Sequence, residues 1–270
     1  MTALDYIILT AIALVSFCMS YLGAAVGLVL GQFRVVLLTY ALGSAAVGGA
    51  TSMAISTVSA IVGSIAHVRG GRVNLTMLLT VGAPSAVTAF LSARFAASAD
   101  QSFLKIAIAT VLLITGVNML FPRKLPATAP RVPSVFPKGP RSFVSQFALG
   151  AVLGAISGVV GLLLGSLRLP AMVRFSGVSP RTVVGTNMVI GAITGVSAGV
   201  TAMSGGKVNL AAFAVITPLT LLGAHYGARK TGELDPNTLK RWIAYALIPT
   251  ASVMLAEVIL TYAFGISSVG

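Results

Sequence analysis

The sequence predicts an all-α polytopic membrane protein, and three observations support this. Of the 270 residues, 56% are hydrophobic and only 9% are charged, with a mean hydropathy of +0.98; a soluble domain carries about 25% charged residues. Uncharged apolar stretches recur, each long enough to cross about 30 Å of hydrocarbon. The pattern of the first half also returns in the second half, which indicates two copies of one membrane-embedded unit.

Each half contains four full apolar spans. We predict them at residues 4–26, 46–67, 73–92 and 102–121, and again at 143–164, 182–204, 208–227 and 242–264. The first span lacks a basic leader and a cleavage site, so we expect it to be retained. Between the first and second span of each half lies a shorter Gly-flanked piece, at 32–45 and 166–181. We expect these two pieces to form broken or re-entrant half-helices.

The repeat is clearest at GGRVNL (70–75) and GGKVNL (205–210). Residues 51–75 align without gaps to residues 186–210, with eight of 25 positions identical. Polar matches such as Asn74 with Asn209 are unlikely to stay in step by compositional coincidence. The domains are therefore a first repeat over 1–121 and a second over 143–270, joined by a proline-rich basic linker at 122–142.

The distribution of basic residues predicts the orientation of the repeats. With the linker in the cytoplasm, an odd number of crossings per half keeps most Lys and Arg inside. An odd number also inverts the second copy relative to the first and places both termini in the periplasm. We therefore expect inverted repeats, with the short pieces either crossing or re-entering.

Several function classes are disfavoured. The net charge of +13 would suggest nucleic acid in a soluble protein, but most basic residues lie between apolar spans. Lone Cys18 allows no intrachain disulfide, and His67 and His225 are isolated, so we predict no metal and no cofactor. No span carries the His, Asp and Glu cluster of an intramembrane enzyme. We therefore predict that the protein is not an enzyme.

Arg34 and Arg168 are the strongest candidate site residues. They are equivalent across the repeat, and each follows a glycine by three positions. A charge inside a membrane segment is costly and indicates function, and the guanidinium fork suits two oxygens of an anion. The alternative is that one or both side chains extend to the membrane interface.

Hydrogen-bond donors accompany both arginines. Gln32 and Ser166 stand two residues before them, and the segments TSM (51–53) and TNM (186–188) are predicted to begin helices. A helix N-terminus offers free N–H groups to an anion, although these residues also suit capping alone. The predicted donors are Gln32, Ser166, Thr51, Ser52, Thr186 and Asn187.

Glycines mark the predicted helix breaks: Gly23, Gly27 and Gly31 in the first copy, and Gly158, Gly161 and Gly165 in the second. Glycine lets a backbone break and lets a ligand approach, and it also allows close helix packing. Inverted repeats with broken helices near the midplane are typical of secondary transporters.

Acidic residues are scarce, and Glu257 alone lies inside a clear span. We consider it a candidate proton site, with pairing or an interfacial position as the alternative. Coupled uptake usually needs carboxylates in the membrane, whereas export of an anion does not. Each negative charge that leaves a cell gains about 2.3 kcal/mol per 100 mV.

The duplicated order of these features resembles the sulfite exporter TauE/SafE family. The resemblance rests on a glycine-rich break, a short half-helix, a small-residue run ending in VVGTNM (183–188; GGATSM at 48–53), a helix and a Gly-Gly turn. Pro170 matches the family's proline after the break, whereas the first copy has Val35-Val36. The resemblance implies a bacterial inner-membrane transporter of organosulfur or related small anions.

We therefore predict a secondary transporter that exports sulfoacetate, sulfite or a related sulfonate by alternating access. Its partners are this anion and the lipid bilayer, with no nucleic acid and with a homodimer left open. The alternatives are an anion channel, which fits the broken helices almost as well, and a proton-coupled importer of a small oxyanion. A non-transporting scaffold does not explain paired arginines at glycine breaks.

Overall fold

A computed structural model describes residues 3–25, 31–121, 140–176, 178, 180–229 and 236–264, and all regular elements in these ranges are helical. The helices are α1 (Ala3–Ala25), α2 (Gln32–Ala41), α3 (Ala45–Arg69), α4 (Leu75–Met77), α5 (Ala83–Ser98), α6 (Gln101–Leu120), α7 (Pro140–Val160), α8 (Gly165–Ser176), α9 (Pro180–Ser204), α10 (Leu210–Arg229) and α11 (Pro236–Phe264). A π-helical turn, Leu78–Gly82, joins α4 to α5. Gly27 and linker residues 122–139 lie outside the described ranges.

Within those ranges, eight segments are long and apolar enough to cross a membrane. They are Asp5–Ala24, Ala45–Arg69, Leu75–Ser98, Gln101–Leu120, Phe143–Val160, Thr182–Ser204, Leu210–Gly227 and Ile243–Thr261. Each coincides with one of the predicted spans, so the prediction of a polytopic α-helical membrane protein is confirmed. The helices α2 and α8 occupy the two short pieces between spans.

The helices of the two halves pack in reciprocal pairs. The first helix of each half lies against the third span of the other half: α1 contacts α10, and α7 contacts α5. The equivalent helices α3 and α9 contact each other, as do α6 and α11. The two halves therefore share one interlocked core, with α3 and α9 as its most buried spans.

Equivalent helices run in opposite directions. Thr57 of α3 lies against Gly195 of α9, whereas Gly63, further along α3, lies against Met188, which is earlier in α9. The same holds for α6 and α11, where Lys105 contacts Glu257 and the later Gly116 lies against the earlier Ile248.

The two Gly-Gly turns hold the halves together. Their second glycines, Gly71 and Gly206, have φ of 63° and 64°, a conformation that L side chains rarely adopt. The side chains of Asn74 and Asn209 then cap α4 and α10 by accepting from Met77 N and Ala212 N, both at 2.9 Å.

Each capping asparagine also bonds to the other half. Asn74 N donates to Thr186 Oγ1 at 2.8 Å, and Asn209 N donates to Thr51 Oγ1 at 3.0 Å. Thr186 and Asn74, and Thr51 and Asn209, are therefore corresponding pairs of partners across the interface between the two halves.

Candidate functional site

The short helices α2 and α8 each reach only about half of the membrane. At 10 and 12 residues and a rise of 1.5 Å per residue, they are about 15–18 Å long. Helix α2 runs back along α3: Gly31 lies against Ser56 and Thr39 against Gly48. Both helices therefore begin inside the protein, beside the central helices α3 and α9.

A short non-helical break at residues 161–164 separates α7 from α8. Leu162, Leu163 and Leu164 are buried and non-helical, and Gly161 turns the chain with φ 66°. Ser157 Oγ donates to Leu162 O at 2.5 Å and accepts from Leu164 N at 3.4 Å. These bonds satisfy backbone groups that would otherwise be costly in an apolar interior.

The N-termini of the two half-helices meet. Gln32 Nε2, at the first residue of α2, donates to Ser166 Oγ in the first turn of α8 at 3.3 Å. The first N–H groups of a helix have no intrahelical acceptor, and the N-terminus carries a partial positive charge. Two such ends therefore converge at one buried place, each from a different half of the chain.

Arg34 lies beside this junction and is only 3% exposed. Its Nη2 donates to Ser52 O at 3.3 Å and to Ser56 Oγ. Among the described residues, Arg34 Nε, Ser52 Oγ and the Gln32 side-chain oxygen are buried without a hydrogen-bond partner. Arg34 Nε and Ser52 Oγ can donate to a ligand, whereas the Gln32 oxygen can only accept a hydrogen bond.

Arg168 is 1% exposed, and two of its guanidinium nitrogens donate to side chains, compared with one for Arg34. Arg168 Nε donates to Asn187 Oδ1 at 2.9 Å, and its Nη1 donates to Ser85 Oγ at 3.3 Å. Asn187 Nδ2 donates to Gly165 O at 3.2 Å, and Ser85 Oγ lies 3.0 Å from Thr194 Oγ1. Arg168 thus links α8 to α9 and, through Ser85, to the first half.

Neither arginine forms an ion pair with a described carboxylate. A buried charge is expensive unless it is paired, and these two charges stand beside two positive helix ends. The arrangement is suited to a small oxyanion, which would supply both the negative charge and the missing acceptors.

A family model described as Sulfite exporter TauE/SafE matches residues 8–254. The chain belongs to the sulfite exporter TauE/SafE family. The match covers both repeats, both half-helices and the linker, and it confirms the resemblance inferred from the sequence. No curated protein and no solved structure matches the chain significantly.

Membership of the TauE/SafE family makes the protein a membrane transporter. The predicted residues Gln32, Arg34, Ser52, Ser166, Arg168 and Asn187 all lie around the junction of the half-helices. The structure brings them together from four elements: α2, α3, α8 and α9.

One prediction about these donors is wrong. Thr51 and Thr186 do not stand at helix starts, because α3 begins at Ala45 and α9 at Pro180. Ser44 Oγ accepts from Val47 N, and Gln101 Oε1 accepts from Ala45 N, so the N-terminus of α3 is satisfied earlier. The helix ends that face the site are instead those of α2 and α8.

Thr51 and Thr186 are occupied elsewhere. Both accept from the Gly-Gly turns of the other half, and Thr186 Oγ1 also donates to Thr182 O at 2.7 Å. Their hydroxyls therefore join the two halves, and a contact of either hydroxyl with an anion stays an untested prediction.

The predicted break glycines occupy different places. Gly31 precedes α2, Gly161 lies in the break before α8, and Gly165 begins α8, whereas Gly23 and Gly158 lie in the last turns of α1 and α7. A Cβ at Gly31 would lie 2.7 Å from Ser56 Oγ and one at Gly165 would lie 2.9 Å from Asn187 Nδ2. Both glycines thus make room for the polar groups that hold the arginines.

Glu257 lies away from the junction. Its carboxylate accepts from Lys105 Nζ at 2.8 Å and from the Tyr40 hydroxyl, and its side chain is 35% exposed. This placement agrees with the paired alternative, while the proton role remains a prediction.

Sequence reasoning missed Ser56, Ser85 and Thr194. Ser56 stands one helical turn after Ser52, so the i, i+4 spacing was a usable signal once α3 was placed. Ser85 accepts from Arg168 and lies against Thr194 because α5 packs on α9, and no local pattern in the sequence indicates these contacts.

Proposed function

We propose that this protein is a secondary transporter that exports a small organosulfur anion, such as sulfoacetate, sulfite or a related sulfonate, across the bacterial inner membrane. The observation that carries the proposal is the meeting of two half-helix N-termini, each with a buried arginine unpaired with any described carboxylate. Family membership gives the transporter class, and the chemistry of the junction gives the anion.

The donor set suits a small anion that carries two or more oxygens. Guanidinium groups bind two oxygens of one anion through parallel N–H bonds, and helix N-termini add backbone donors. Arg34 Nε and Ser52 Oγ are buried and available in the first half, and Arg168 is buried in the first turn of α8 in the second half. Two arginines balance a dianion, and outward movement of a dianion gains about 4.6 kcal/mol per 100 mV, twice the value for one charge.

Alternating access is supported by the opposite directions of α3 and α9 and of α6 and α11. Inverted repeats can exchange their conformations, so that a site between them opens first to one face and then to the other. The half-helices would move with their own repeats. The basic linker favours a cytoplasmic position, and the opposite face would then hold both termini.

The exposed apolar side chains of α1 and α7 suit lipid. A second copy of the chain at this surface stays a prediction.

The direct test is flux in liposomes that contain only the purified protein. Labelled sulfite and sulfoacetate should exchange across the membrane, saturate with concentration and be lost in Arg34→Ala, while the carboxylate analogue of sulfoacetate exchanges more slowly. Arg94→Ala is the matched control, since Arg94 is exposed and lies over the Phe90 ring.

Other outcomes separate the alternatives. Current far above carrier turnover without saturation would indicate an anion channel. Uptake driven by an imposed proton gradient and lost in Glu257→Gln would indicate a proton-coupled importer. Absence of flux for every sulfur anion, from protein that remains folded, would contradict the proposal.

A further inference from the structure

A cleft opens between four helices at the face where α3 begins and α9 ends. It is narrow, with a volume of about 30 Å³ that has room for one or two water molecules, and its walls come from α3, α5, α7 and α9. Almost all of the lining residues are Ala or Gly, with Ala50, Ala97 and Ala202 among them, and the single charged group is Lys207.

The cleft leads along α3 towards Arg34. Ala45 and Gly49 line it, and Ser52 and Ser56 follow at i+7 and i+11 from Ala45, which places all four on one helical face. Ser52 and Ser56 are the residues that hold the Arg34 guanidinium. The cleft and the anion site are therefore consecutive stretches of the same face of α3.

Two glycines from different halves meet in the wall of this cleft. A Cβ on Gly161 would lie only 2.3 Å from Gly49 O, and one on Gly49 would lie 3.4 Å from Val160 O. This close backbone approach keeps the cleft narrow, and a displacement of α7 from α3 would widen it along the face of α3 that carries Ser52 and Ser56.

The repeat-related place on the opposite face is packed. Arg72 and Gly185 are the counterparts of Lys207 and Ala50 at an offset of 135. A Cβ on Gly185 would lie 2.1 Å from Arg72 O, whereas Lys207 and Ala50 line open space. The two faces therefore differ at this point.

We infer that this cleft is an aqueous passage for the transported anion, and that Lys207 is an outer anion-binding residue at its mouth. Lys207 is half-buried and forms no ion pair with a described residue. A cation in a cleft with apolar walls concentrates small anions, because the surrounding low dielectric focuses its field. The inference rests on the proposed function for the identity of the anion.

Cysteine labelling tests the passage without requiring transport. In a Cys18→Ser background, the labelling rate of Ala50→Cys measures access of the reagent to the cleft. The labelling rate of Ser98→Cys, at the exposed end of α5, is the reference. The two reagents are the anionic sulfonatoethyl and the cationic trimethylammonioethyl methanethiosulfonates. Ala97→Cys is a second reporter in the same wall in case Ala50→Cys does not fold.

We expect the cleft cysteine to favour the anionic reagent relative to the Ser98→Cys reference. Lys207→Gln should slow its reaction with the anionic reagent by about five- to tenfold, because one nearby charge is removed from a poorly screened place. The rate with the cationic reagent should not fall. Arg94→Gln, which removes a charge at the same end of α5, should leave both rates unchanged.

Two results would overturn the inference. One is that Lys207→Gln leaves the labelling rate with the anionic reagent unchanged at both Ala50→Cys and Ala97→Cys. The other is no reaction of either cleft cysteine with either reagent while Ser98→Cys reacts, which would mean that lipid or protein fills the cleft. Arg34→Ala should abolish flux and leave this labelling intact, so failure of the passage and failure of the proposed site are distinguishable.

Discussion

Arg34 and Arg168 use the shape of the guanidinium group as well as its charge. Arg168 donates from Nε to Asn187 and from Nη1 to Ser85, two acceptors on different helices. Arg34 binds the Ser52 and Ser56 positions through Nη2 and keeps Nε available. A point charge in the same place would satisfy fewer of these bonds.

We therefore predict that Lys is a poor replacement at either position. Arg34→Lys and Arg168→Lys should each weaken anion binding by about ten- to a hundredfold, since a hydrogen bond to a charged group contributes about 1.5–3 kcal/mol. Titration calorimetry on purified protein measures the change, with Arg94→Lys as the control. Wild-type affinity in both variants would show that charge alone suffices.

Glu257 gives a second prediction at the residue scale. Glu257→Gln removes the partner of Lys105 and should lower the stability by at most about 1 kcal/mol, because the pair is partly exposed to its surroundings. The pH profile of transport should stay that of the wild type. A profile that becomes flat only in Glu257→Gln would assign the carboxylate a proton role.

At the scale of elements, α7 depends on glycine to approach α5. Cβ atoms on Gly150, Gly154 and Gly158 would lie 2.2, 2.3 and 2.4 Å from the carbonyl oxygens of Val81, Ser85 and Ala89. The same stretch of α5 presents Ser85 to Arg168. Close packing of these helices therefore positions part of the site.

Gly154→Ala should lower the stability by about 1–3 kcal/mol, as overpacking does in a tight core. Gly199→Ala is the matched control, because its Cβ would lie an ordinary 4.0 Å from Thr57 Oγ1. That control should be neutral or stabilising by up to about 1 kcal/mol. Thermal unfolding in detergent compares the two, and equal melting temperatures would contradict the packing argument.

Local sequence predicts the positions of these helices well and the contacts between them poorly. Hydropathy located the spans, and glycines with Arg34 and Arg168 located the half-helices, because burial and helix breaking are local properties. Helix α3 begins at Ala45 and not at Thr51: Ser44 supplies a local cap there, and Gln101, a residue distant in sequence, adds a second acceptor that no local pattern indicates. The contact of Ser85 with Arg168 likewise depends on packing of helices from different halves.

At the scale of the molecule, the account requires the linker and the C-terminus to lie on opposite faces. The chain must then cross the membrane a net odd number of times after the linker, through the α7–α8 pair, α9, α10 and α11. A reporter active only outside the cytoplasm, such as alkaline phosphatase, should be active when fused after Gly270 and inactive after Pro130. Green fluorescent protein at the same points should give the reverse pattern. The same result at both points would contradict the inverted arrangement.

Binding of one oxyanion by Arg34 and Arg168, where α2 and α8 meet, underlies the proposed transport. The most direct measurement is a thermal-shift series on purified protein with sulfite, sulfoacetate, sulfolactate, taurine, sulfate, thiosulfate and matched carboxylates, repeated with Arg34→Ala, Arg168→Ala and Arg94→Ala. A ligand that binds the folded state raises the melting temperature by mass action. The account predicts stabilisation by a sulfur oxyanion in the wild type and in Arg94→Ala, and its loss in both buried-arginine variants. Stabilisation that persists in folded Arg34→Ala and Arg168→Ala would place the anion elsewhere and contradict the account.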